Sequence, residues 1–95
     1  TVSVLCGQLL CFFKDIEDFN LSKAATAPIT IFNATCEKAD DYTKKKNVFR
    51  LKCTDGSEFL FLAPSHEEME DWVNKISFHA KKIKHLSIIL LMTKN

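Results

Sequence analysis

The sequence predicts a mostly β domain of short antiparallel strands, closed by one C-terminal α-helix. Three observations carry that prediction. In the stretch from Ser65 to about Ile83, Met69, Trp72, Val73, Ile76, Ala80 and Ile83 recur at spacings that put them on one helical stripe. Upstream lie several runs rich in β-branched and aromatic residues, each bounded by turn formers. Two of those runs flank Asp55-Gly56, a strong hairpin signal. A helix with one apolar stripe has to cover something apolar, and the strands supply it.

Val2 to Cys6 and Leu9 to Lys14 are the first two strands, joined by Gly7-Gln8 and expected to pair antiparallel. From Asp15 to Ala27 the composition turns polar, which predicts a long loop with one helical turn around Leu21 to Ala25. Pro28 opens a strand that continues through Ile29, Thr30, Ile31 and Phe32. It bends at Asn33-Ala34 and carries on from Thr35 to Lys38. Ala39 to Asn47, A-D-D-Y-T-K-K-K-N, is the most polar stretch of the chain. Val48 to Cys53 then alternates, with Phe49, Leu51 and Cys53 on one face and Arg50 and Lys52 on the other, as in a half-buried strand. Thr54 to Ser57 is expected to be a type I′ turn, with Glu58 to Leu62 as the returning strand. Pro64 ends that strand. Ser65 and Glu68 then form the capping box of the helix, each side chain reaching a backbone N–H of the other's turn. Acidic Glu67, Glu68, Glu70 and Asp71 crowd the first turns and Lys81, Lys82 and Lys84 the last, in keeping with the helix dipole. Five or six such strands predict a curled sheet or two packed sheets with the helix plugging the open end, and the eight phenylalanines are expected in that core.

Composition narrows the function classes. The 95 residues, 46% hydrophobic, suit one small domain. Thirteen basic against twelve acidic residues leave a formal charge of +1, so no global field draws the chain to nucleic acid, and any electrostatic function is local. The cysteines Cys6, Cys11, Cys36 and Cys53 lack C-x-x-C spacing, which argues against zinc and a disulfide framework. They read as reduced core residues, and hence as cytosolic. His66, His79 and His85 show no metal-ligand pattern. No catalytic constellation, Gly-rich phosphate loop or signal peptide is found, and the longest apolar run, Ile88 to Met92, is too short for a transmembrane segment. No cofactor is expected. The chain begins at Thr1, inside a strand pattern, and so reads as a fragment.

Four stretches of this chain resemble a known family. C-G-Q-L-L-C-F-F-K-D at Cys6 to Asp15, E-K-A-D-D-Y-T-K-K-K-N-V-F-R-L-K at Glu37 to Lys52, D-G-S-E-F-L-F at Asp55 to Phe61 and E-E-M-E-D-W-V-N-K-I at Glu67 to Ile76 are similar to the pleckstrin homology (PH) domain of β-spectrins. The resemblance covers most of Thr1 to about Ala80. It implies an antiparallel β-sandwich, or partly open barrel, capped by the C-terminal helix. It also implies that Thr1 aligns with the family's second strand, so that the first strand and the loop after it are missing. In β-spectrins that loop forms one wall of an inositol phosphate headgroup site. The other wall falls here on Asp40 to Asn47, with Tyr42 and Lys44 as the contacts carried over. The family-like domain is therefore expected over residues 1–83, with 84–95 as an apolar tail outside it.

Lys44, Lys45 and Lys46 are the only run of like charge, beside a Tyr42 hydroxyl able to meet a phosphate oxygen. An ordinary solvated turn is the bland explanation of the same residues. At roughly 1 kcal/mol per basic side chain near an anionic leaflet, three lysines supply about 3 kcal/mol, which is steering rather than stable attachment. Asp40 and Asp41 are expected to subtract from it. Trp72 is expected in the core, with Ser65 and Glu68 structural. The resemblance implies a non-enzymatic adaptor of the spectrin membrane skeleton, contacting phosphoinositide-containing membrane at the cytoplasmic leaflet, with skeleton proteins as further partners. A protein-binding scaffold is the alternative, and an incomplete domain without independent activity is a third reading. For the tail, an interfacial anchor, helix continuation, a disordered end, variant sequence and packing on an unpaired strand edge all stay open.

Overall fold

The computed structural model describes residues 1–81. In chain order the elements are β1 (Val2–Cys6), β2 (Leu9–Phe13), α1 (Ile16–Asn20), β3 (Ile29–Thr30), β4 (Thr35–Lys38), β5 (Val48–Lys52), β6 (Glu58–Leu62) and α2 (His66–Ala80). They form two antiparallel three-stranded sheets, β1-β2-β3 and β4-β5-β6, and no strand pairing joins the sheets among the described residues. The expected sandwich with a C-terminal helix is thus present, without closure into a barrel. The tail 84–95 and the last positions expected of the helix, Lys82 and Ile83, lie outside the described residues.

The first hairpin pairs Val2 with Phe13 and Cys6 with Leu9, and Gly7 takes the positive φ of 59° that its two-residue connection needs. Helix α1 corrects the expectation of a helical turn at Leu21 to Ala25. It sits one turn earlier because Asp15 caps it, accepting from the Asp18 amide at 2.8 Å, and Leu21 already ends it. Ser22 then turns left-handed at φ 55°, so Leu21 to Ala25 is irregular. Phe19 of α1 packs edge-on against Phe13 at 5.2 Å.

The strand expected from Pro28 to Phe32 is only Ile29–Thr30. Asn33, at φ 57°, makes a corner that leaves the first sheet and enters the second at β4. Ile31 sits fully buried at this corner, its amide donating to the Gln8 carbonyl at 2.9 Å. The β5–β6 hairpin also differs from expectation. Only Gly56 has positive φ, +91°, and its amide donates to the Cys53 carbonyl while the Cys53 amide donates to the Ser57 carbonyl. A three-residue loop with a glycine bulge replaces the type I′ turn, and the Asp55 carboxylate stabilises it by accepting from the Ser57 amide at 2.9 Å.

Helix α2 lies over β4 and β5. Met69, Ile76 and Ala80 are buried against a cluster that includes Leu10, Ile31, Cys36, Phe49 and Leu51, while Trp72 and Val73 are half-buried at its margin. Ser65 caps the helix through an acceptor bond from the Glu68 amide at 3.1 Å. The reverse arm of the expected capping box, from the Ser65 amide to the Glu68 carboxylate, is not formed among the described residues. At the other end the last carbonyls are met from outside the helix: Asn33 donates its amide to Ala80 at 3.0 Å, and the Gln8 side chain donates to His79 at 3.1 Å.

Two expectations about the core need correcting. Of the eight phenylalanines only Phe13 and Phe49 are buried, whereas Phe19, Phe32 and Phe78 are exposed. Phe12, Phe59 and Phe61 are partly buried and pack against the core, with Phe12 of the first sheet stacked on Phe61 of the second at 5.6 Å. Of the cysteines, all four are free, but only Cys36 is buried and Cys6 is exposed on β1, a strand with no partner on its outer edge among the described residues.

Ile76→Ala should lower the unfolding free energy by about 2–5 kcal/mol in urea titrations, through lost burial and a cavity. Leu60→Ala on the outer edge should change it by less than about 0.5 kcal/mol. Burial pushes the Cys36 thiol up to about 12, helped by the Glu37 charge, so it holds little thiolate at mildly alkaline pH. Under those conditions iodoacetamide should label Cys6 in the folded protein and reach Cys36 only after denaturation, as read by peptide mass spectrometry.

Candidate functional site

The polar stretch expected between two strands connects β4 to β5 as an irregular loop, Ala39 to Asn47. Both roots are fixed by backbone bonds. The Ala39 amide donates to the Val48 carbonyl at 3.0 Å and the Tyr42 amide to the Ala39 carbonyl at 3.0 Å, which turns the chain sharply after β4. At the far root Asn47 is left-handed at φ 62°, and its carbonyl accepts from the Ala63 amide at 2.9 Å, tying the loop to the end of β6. Ala39 and Val48 are buried beneath these bonds, so the loop stands on the sheet rather than trailing from it.

The charges sort into paired and unpaired. Outside the loop, Lys38 meets Glu70 at 3.0 Å and Lys52 meets Glu37 at 3.6 Å. Within it, Asp41 is held by Arg50 of β5 through two bonds of 3.0 and 2.9 Å. That hydrogen-bonded guanidinium keeps the Asp41 carboxyl below its ordinary range and raises Arg50 above its own. Lys44, Lys45 and Lys46 are exposed, and none forms a hydrogen bond or ion pair with another described residue. Tyr42 is half-buried at the base of the same loop. The predicted site residues Tyr42, Lys44, Lys45 and Lys46 therefore occupy one projecting segment.

The expectation that both aspartates subtract from the lysines needs amending, because Asp41 is already neutralised by Arg50. Sequence reading missed that pair. Alternation had set Arg50 on the outer face of β5, but nothing in the chain gave the turn that brings Asp41 back over it. Ser65 caps α2 as expected. Trp72 packs against the core from its margin and forms a wall of a cleft of about 500 Å³, with Leu10, Phe12, Phe61 and Ile76 among its neighbours. Ala63, which holds the loop at Asn47, lines the same cleft. Among the described residues no group of three His, Cys, Asp or Glu side chains could hold a metal ion, and no helix is long and apolar enough to cross a membrane.

Comparison with known proteins agrees with this geometry. Residues 10–81 match the family model of the pleckstrin homology domain. The human spectrin beta chain, non-erythrocytic 4, is 47% identical over 49 residues, which are 52% of this chain and 2% of that protein. The chain thus spans a very small part of that relative. Among solved structures, the pleckstrin homology domain of ArhGAP27 superposes with a TM-score of 0.67 at 32% identity, over 83% of this chain and 76% of the other. With its family match running from β2 through the end of α2, this chain belongs to the pleckstrin homology domain family.

Proposed function

We propose that the chain is a non-enzymatic adaptor module of a spectrin-type membrane-skeleton protein, acting at the cytoplasmic leaflet of the plasma membrane. Its contact is with phosphorylated inositol headgroups, through Tyr42, Lys44, Lys45 and Lys46. We assign residues 1–83 to the module and leave 84–95 outside it. The observation that carries the reading is the set of three exposed ammonium groups without carboxylate partners among the described residues, on a loop pinned at both roots. Ammonium groups of this kind supply point charges to phosphate oxygens, and the Tyr42 hydroxyl supplies a directed donor. At roughly 1 kcal/mol per lysine the attraction is about 3 kcal/mol, so the contact is weak and falls with salt. Firm recruitment then depends on further contacts elsewhere in a larger protein.

A protein-binding role is the second reading, and one feature favours it. Among the described residues strand β6 has no partner on its outer edge, with Leu60 48% and Leu62 61% exposed beside it. Strand edges of this kind accept an extended peptide through backbone bonds that respond little to salt.

Co-sedimentation with phosphatidylinositol-bisphosphate vesicles at two salt concentrations separates the readings. Binding is expected to weaken with salt and to drop at least about tenfold in a Lys44→Glu, Lys45→Glu double variant, since two attractive charges become repulsive. Binding that survives both changes contradicts the lipid reading.

A further inference from the structure

Arg50 lies on the outer face of β5, opposite Glu37 of β4 and Leu60 of β6. It is a cation beside the lysine loop held by two hydrogen bonds to one carboxylate. Its two terminal nitrogens meet the two Asp41 oxygens at 3.0 and 2.9 Å, and its Nε lies 3.8 Å from a Glu58 oxygen. The Arg50 side chain is only 19% exposed, whereas Asp41 is 68% exposed. The guanidinium is therefore the fixed member of the pair, packed on the sheet with a second acid behind it. Asp41 is the member drawn in from the loop. A fork-on-fork pair sets orientation as well as distance, which a lysine in the same place could not do.

The position of Asp41 gives this pair a consequence for the site. It immediately precedes Tyr42 and stands three residues before Lys44. Three lysines and two aspartates leave Ala39 to Asn47 at a formal charge of +1, and removing Asp41 from the count leaves +2 facing solvent. Released from Arg50, the Asp41 carboxylate would be an intramolecular competitor for the same ammonium groups that a phosphate needs.

We propose that Arg50 is a positioning residue for the anion site: it holds Asp41 down on the sheet, so that the carboxylate neither pairs with Lys44 to Lys46 nor repels an incoming phosphate. Arg50 is not itself a phosphate ligand here, because both arms of its fork are engaged. This inference rests on the reading of the loop as a phosphate contact. The ligand chemistry is a polyphosphorylated inositol, carried by a lipid or free in solution.

The test measures binding of soluble inositol hexakisphosphate by calorimetry and of phosphatidylinositol-bisphosphate vesicles by sedimentation, using the full chain. The variants are Arg50→Gln, Arg50→Lys, Arg50→Gln with Asp41→Asn, and Lys44→Glu with Lys45→Glu. Circular dichroism and melting curves report whether each is folded. Arg50→Gln is expected to weaken binding about fivefold, because the freed Asp41 carboxylate cancels one lysine charge at an anionic surface. Arg50→Lys should fall nearly as far, because it keeps the charge but loses the fork. The Asp41→Asn change should restore binding in the Arg50→Gln background, since no carboxylate is left to release. A loss that Asp41→Asn does not rescue makes Arg50 a direct ligand or a purely structural residue and overturns the inference. So does wild-type binding by a folded Arg50→Gln. In both cases loss of binding in the lysine double variant leaves the phosphate reading standing. Unchanged binding in that double variant defeats the phosphate reading, and the inference with it. Binding to vesicles alone assigns the site to lipid headgroups, and binding to both probes assigns it to inositol phosphates in either form.

Discussion

Burial of the apolar stripe of α2 on the β4-β5-β6 sheet is the contact on which the molecule depends. A helix of fifteen residues is marginal by itself in water, so its order comes from what it covers. Ile76 and Ala80 lose all solvent contact and Met69 nearly all, in one cluster with Leu51 and Cys36. At about 1.5–3 kcal/mol for each large side chain removed from water, Ile76 and Met69 dominate that stabilisation. The polar contacts fix the helix along its length. Ser65 closes its start, the Ser77 hydroxyl donates to the Cys36 carbonyl of β4 at 3.3 Å, and Asn33 and Gln8 meet its last carbonyls. Asn33 and Gln8 belong to the side of the molecule built on the first sheet, so the helix end is also where the two sheets are held together.

The consequence for the loop is mechanical. β4 and β5 are the strands under α2, and Ala39 to Asn47 is their connection. Pinning both strands fixes both roots of the loop, and a projecting loop with fixed roots loses less conformational freedom when it meets a ligand. The charges then differ by position rather than by count. Lys38, Arg50 and Lys52 on the second sheet are matched by acids, while among the described residues Lys44 to Lys46 at the loop tip are not. A nearly neutral chain can in this way present a local positive surface.

The parts of this fold legible in the sequence are those where a period is long enough to read. α2 and its start at Ser65, the alternation of β5 and the position of the Asp55-Gly56 hairpin all follow from spacing, and the structure has them. Short features were harder. α1 has five residues and buries none of them, so it has no stripe, and only Asp15 as a cap marks its start. The end of β3 is set by the Asn33 corner, which a run of Ile, Thr, Ile and Phe conceals. The phenylalanines misled because hydrophobicity alone does not say which rings face the core, and Phe19, Phe32 and Phe78 do not. At the site, Tyr42 and the lysines stand out by composition, but a role for them came only from family resemblance. The Arg50–Asp41 pair depends on how the loop folds back on its own strand, which local pattern does not encode.

The proposed contact places phosphorylated inositols on a loop rooted on the helix-covered sheet and nowhere else on the surface. The most direct measurement is a titration of the 15N-labelled chain with inositol trisphosphate, followed by amide chemical shifts. The account predicts salt-sensitive shifts concentrated at Ala39 to Asn47, with the Thr54 to Ser57 hairpin and α1 unchanged. Shifts confined to the open edge of β6, with the lysine loop silent, would contradict it.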